Sequence, residues 1–241
     1  MTRPGPALVL PIGALASTAF GVWIGKPWLL PVLCALVPIP VFLQHIRKGR
    51  PVRAMVWVLY WCVAQSVAIG LLVAIAPERT PAAVWRGAAY TEEMFHYIRT
   101  GEGPEGSPRL FLPVHLRHYA FMCAISLATL GTGGLVLGTL LLNYMNVYVA
   151  ELVRASAVPA LAFAFGWPIW AVLRVVGYAA TGAALADISW RMVRRPRRRR
   201  STNAYRLLLF GVALVLLDIL LKALLAPTWR GFLLQSLEAS S

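Results

Sequence analysis

The chain has 241 residues, 59% of them hydrophobic and 13% charged, with a mean hydropathy of +0.68, whereas soluble domains carry about a quarter charged residues. That balance excludes a single water-soluble core. The formal charge of +14 does not point to nucleic acid, because the basic residues stand beside the apolar runs rather than on a separate polar domain.

Runs of about 18–23 apolar residues are long enough for a hydrocarbon layer of about 30 Å at 1.5 Å per helical residue. They predict spans over 6–24, 28–45, 54–76, 119–141, 144–165, 168–189 and 205–226. The expected fold is an all-α, polytopic transmembrane helix bundle of seven spans, or six if 144–165 is re-entrant, with one outer interfacial helix. The first run follows a basic residue and holds small residues, as a secretory signal does. A second run follows so soon that a retained hairpin over 6–45 is the preferred reading.

Arg47, Lys48, Arg50 and Arg53 fill one short connection. Arg191, Arg194, Arg195, Arg197, Arg198, Arg199, Arg200 and Arg206 fill the connection 190–206. Lys and Arg are retained on the cytoplasmic side, and four spans between the two connections keep both there. This predicts a bacterial cytoplasmic (inner) membrane protein with its N-terminus inside and C-terminus outside. Its three parts are residues 1–76, an outer connection 77–118, and a four-helix segment 119–241. Arg194, Arg195 and Arg197–Arg200 are also candidates for contact with anionic lipid headgroups or an acidic partner.

The outer connection balances Arg79, Arg86, Arg99, Arg109 and Arg117 against Glu78, Glu92, Glu93, Glu102 and Glu105. Pro81–Thr100 reads as an interfacial helix with Val84, Trp85, Ala88, Met94, Phe95 and Ile98 on one side. The GEGPEGSP stretch at 101–108 reads as an exposed loop. Trp23, Trp28, Trp61, Trp85, Trp167, Trp190 and Trp229 read as headgroup anchors.

Ionisable residues within spans are costly and tend to mark function. Arg174, Asp218 and Lys222 form one candidate intramembrane cluster, with Asp218 and Lys222 spaced i, i+4 for pairing on one helix face. Glu151 and Arg154 read as a local pair near the cytoplasmic end. Glu93, His96, His115 and His118 are candidate metal ligands by residue type and helical spacing. Gly134 and Gly138 form a G-x-x-x-G pair suited to close helix packing. Cys34, Cys62 and Cys123 lie within apolar runs and read as free thiols. No hydrolase, metalloprotease or nucleotide signature is present, so no catalytic residue and no cofactor is assigned.

Three further stretches, HLRHYAFMCAISLATLGTGGLVLGTLLLNY, GWPIWAVLRVVGYAATGAALA and LLDILLKALLAPTW, carry a resemblance over about residues 110–241. Their order, a basic start with a glycine-interrupted span, a proline-opened span and a closing span, resembles the stage II sporulation protein M family of bacterial membrane proteins. Three upstream spans stand where that family would have one, and Gly166-Trp167-Pro168 replaces its Pro-His-Gly type turn. The resemblance implies a non-catalytic component working with envelope or peptidoglycan-remodelling partners. The functional expectation is a non-enzymatic scaffold or subunit of a larger membrane complex, with a transporter or channel component built on the Arg174/Asp218/Lys222 cluster as the alternative.

Overall fold

The computed structural model describes residues 5–194 and 202–238. Among them no strand occurs, and the chain is an all-α bundle. Six helices are long and apolar enough to cross a membrane: α1 (Pro6–Ile24), α4 (Pro51–Ile75), α7 (Pro108–Ala128), α8 (Thr132–Ala155), α10 (Ile169–Arg194) and α11 (Thr202–Glu238). A further pair, α2 (Leu30–Leu36) and α3 (Ile39–Arg47), is long and apolar enough only when taken together and is bent by 47°, the geometry of a broken span or a re-entrant loop. Pro38 and Pro40 cause the break, since each lacks an N–H and its ring crowds the preceding turn. The bundle is apolar outside as well as inside. Leu8, Ile12, Val63, Ile75, Phe163 and Leu209 are all exposed, which suits a surface that meets lipid rather than water.

The helix boundaries in the second half differ from the spans expected at 119–141 and 144–165. The first of these contains a turn at Thr129–Gly131, so α7 begins at Pro108 and α8 ends at Ala155. Leu130 and Gly131 take left-handed conformations with φ of 56° and 86°. A Cβ on Gly131 would lie 2.7 Å from the Phe42 ring and 2.9 Å from Ala186, so only glycine fits. The Gly131 N–H bonds to Ser126 O at 2.7 Å, and Thr129 Oγ1 accepts the Gly133 N–H at 2.8 Å. Hydropathy missed the turn because its residues are themselves apolar or small. The remainder of the expected 144–165 span is the short α9 (Pro159–Gly166).

The first basic connection and the C-terminal end of α10 lie together at one end of the bundle. Arg47 stacks over Trp190 with its guanidinium 5.5 Å from the ring centroid, and a Cβ on Gly49 would approach Arg191 Nη2 at 3.2 Å. At the opposite end, Arg230 of α11 donates to the carbonyl oxygens of Tyr97 and Arg99 at 3.0 and 2.8 Å. Ser156 donates to Ser236 O there at 2.7 Å, and Arg79 to Trp23 O at 2.6 Å.

The expected interfacial helix is two helices, α5 (Arg79–Ala83) and α6 (Gly87–Thr100), parted where Arg86 takes a φ of 57°. Helix α6 is packed into the bundle. Met94, Tyr97 and Ile98 are buried with Tyr148 and Leu152 of α8 and Trp229 of α11, whereas Trp85 and Ala88, placed on the same face by spacing, are exposed. Trp61 and Trp229 are likewise core residues, at 2% and 6% exposure, and not headgroup anchors.

Helices α10 and α11 form the tightest pair. A Cβ on Gly177 would lie 3.0 Å from Gly211 O, and one on Gly211 would lie 2.9 Å from Gly177 O. Two glycines facing each other let the backbones approach this closely, as small residues do between membrane helices.

Candidate functional site

The Gly177/Gly211 crossing sets Arg174 of α10 against Asp218 of α11. Arg174 Nε and Nη2 donate to the two Asp218 carboxylate oxygens at 2.8 and 2.9 Å, a two-pronged pair. Asp218 is fully buried and the Arg174 side chain is a quarter exposed. The i, i+4 pairing expected between Asp218 and Lys222 does not form, because the guanidinium already satisfies the carboxylate. Lys222, 1% exposed, instead places Nζ 2.7 Å from Glu105 Oε2 and 4.5 Å from the Phe111 ring centroid. Glu105 sits on a single 3-10 turn, Pro104–Gly106, in the segment that composition alone marks as an exposed loop. A buried lysine demands a carboxylate. That demand was the one signal in the sequence pointing to Glu105.

Arg174, Glu105 and Phe111 line one end of a cavity of about 290 Å³ between α4, α6, α7, α8 and α10, while Asp218 and Lys222 are buried behind them. Arg86, Glu93, His115 and His118 line that end too. Tyr90, Tyr144 and Tyr178 follow, with the Tyr90 and Tyr144 rings 4.6 Å apart. Burial foremost, and then the Glu105 carboxylate, hold the Tyr90 phenol well above its ordinary pKa, so it faces the cavity as a neutral hydroxyl. The far end is apolar, with Val58, Leu135, Leu142, Ala179 and Ala183, and reaches Phe42 and Gly131 beside the basic connections.

Glycine makes the apolar end hollow. Nothing lies within 4 Å of a Cβ placed on Gly138, and Gly138 and Gly182 both line the cavity. The expected G-x-x-x-G packing is therefore half realised. Gly134 faces Ser126 of α7, while Gly138 faces open space.

Glu151 and Arg154 do pair, with Oε2 accepting from Nη2 and Nε at 2.8 and 3.1 Å. They lie near the end of α8 that adjoins α6 and α9, opposite the basic connections, because the turn at 129–131 shifted the helix. Three of the four candidate metal ligands, Glu93, His115 and His118, line the same end of the cavity, but they are not placed to share a metal ion. Glu93 pairs with Arg86 at 2.6 Å, His96 is exposed, and His115 Nδ1 bonds to Phe111 O at 2.9 Å. Among the described residues no group of three His, Cys, Asp or Glu side chains is placed to hold a metal ion. Arg194 lies over Trp190 at 4.7 Å, whereas Arg195 and Arg197–Arg200 lie outside the described residues. All three cysteines are free.

Sequence reasoning fixed on charges and so passed over a neutral polar network at membrane depth. Gln65 Nε2 of α4 donates to Thr18 Oγ1 of α1 and to Asn143 Oδ1 of α8, both at 3.0 Å. All three residues are buried, so the network fastens the N-terminal helices to the second half of the bundle.

No family model, curated protein or solved structure matches the chain. The family resemblance therefore rests on the quoted residues alone.

Proposed function

We propose that this integral membrane protein binds and carries an amphipathic molecule, its polar head at the end lined by Arg86, Glu105 and Arg174 and its apolar tail along the glycine-lined groove. The observation that supports this reading is the polarity gradient of one continuous cavity, charged at one end and apolar at the other. A cavity of this kind suits a ligand with the same gradient. The reading narrows the transporter alternative. A small-ion pathway through Asp218 is disfavoured because its carboxylate is saturated by Arg174. We place the basic end in the cytoplasm, by the retention of Lys and Arg there, and the polar end of the cavity on the outer face. No catalytic step is assigned to the site.

The test is lipid extraction and mass spectrometry of protein purified in mild detergent. Wild type should retain an amphiphile, and Gly138→Leu, which fills the groove, should lose it while keeping its helical circular dichroism. An empty wild-type protein with a stoichiometric protein companion would favour the scaffold reading and its envelope partners instead.

A further inference from the structure

Three ion pairs stand at or just behind the polar end of the cavity, Arg86 with Glu93, Arg174 with Asp218, and Lys222 with Glu105; Lys222 itself lies behind Glu105 and Phe111, which line that end. The first two pairs are hydrogen-bonded. The third is a single contact: Glu105 Oε2 stands 2.7 Å from the Lys222 ammonium, which is otherwise enclosed, with the Phe111 ring beneath it. The carboxylate also comes from a glycine-rich connection rather than from a long helix. Glycines stand at 101, 103 and 106 around it, with Gly101 and Gly103 at φ of 80° and 132°, conformations that side chains rarely adopt.

Resting on the amphiphile reading above, we infer that Lys222 is the receptor for an anionic head, a phosphate or carboxylate, and that Glu105 is a stand-in from the chain itself which the head displaces. A buried ammonium stripped of its counter-ion is strongly disfavoured, so Glu105 leaves only as another anion arrives. With Glu105 in place the three pairs sum to zero charge. Once it withdraws, they hold one uncompensated positive charge, the complement of a single oxyanion. Pro104 and Glu105 themselves line the cavity, so their withdrawal widens the entrance. Charge exchange at Lys222 and opening of the cavity are therefore one event.

The full chain in neutral detergent is titrated with a short-chain phosphatidic acid, the diacylglycerol of the same chains, and inorganic phosphate. Tryptophan fluorescence reads affinity, and hydrogen exchange reads residues 101–107. Phosphatidic acid should bind at least about tenfold more tightly than the diacylglycerol and speed exchange in 101–107. Glu105→Gln should strengthen phosphatidic acid binding by about tenfold and leave the diacylglycerol unchanged, and Lys222→Met should abolish the preference while keeping diacylglycerol binding. Equal binding of the two amphiphiles in wild type and both variants overturns the inference and leaves the amphiphile reading standing. Binding of neither overturns that reading and this inference with it. A response to inorganic phosphate as strong as to phosphatidic acid overturns the assignment of the anion to an amphiphile's head.

Discussion

Arg174 and Asp218, 44 positions apart, meet through two parallel hydrogen bonds inside a helix pair whose crossing point is glycine against glycine. Neutralising the carboxylate leaves a largely buried guanidinium with no counter-charge. Asp218→Asn should therefore destabilise the bundle by about 3–5 kcal/mol, read as a lower thermal midpoint in detergent. The paired replacement Arg174→Met with Asp218→Leu should recover most of that loss, since a well-packed apolar pair removes the stranded charge.

Glycine substitutions along one cavity wall should have opposite signs. Gly138→Ala meets open space and removes a flexible residue from a helix interior, so it should stabilise by about 0.5–1 kcal/mol. Gly134→Ala drives a Cβ into Ser126 Oγ and should destabilise. Parallel thermal melts of the two variants check this contrast.

The α10/α11 crossing should tolerate no side chain. Gly211→Val places atoms against the Gly177 carbonyl and Thr181, and overpacking of this kind costs about 1–3 kcal/mol. Because the crossing positions Arg174 on Asp218, the variant should also weaken any coupling measured between them in a double-mutant cycle.

Cysteine labelling tests the threading. In a background free of native cysteines, Lys48→Cys and Thr202→Cys should react with an impermeant thiol reagent from one side of intact vesicles, and Glu102→Cys from the other. Labelling of residues 48 and 202 from opposite sides would contradict the shared end set by the Arg47–Trp190 contact.

Hydropathy made the class of fold legible, because residues that must face lipid are apolar whatever their neighbours. It also marked the buried ions, and Arg174 and Asp218 do meet. Partner choice was not legible. Lys222 takes Glu105 rather than the carboxylate one turn away, a selection made by the tertiary competition of Arg174. The turn at Leu130–Gly131 was hidden because a left-handed backbone leaves no trace in apolarity. The cavity was hidden for a related reason: Gly134 and Gly138 look alike in sequence, and only the neighbouring helix decides which one touches something.

At 37 residues, α11 is about 55 Å long, roughly 25 Å more than the oily layer it crosses. The surplus is held by Arg230, Trp229 and Ser236, which tie α6, α9 and the Ser156 turn to its upper shaft. The same helix carries Asp218 and Lys222 partway along. Pro227 removes a rung of the helical hydrogen-bond ladder between Lys222 and that tied segment, so the anchored top of the helix and the shaft that carries the ionic residues are joined at a point where a helix bends most readily.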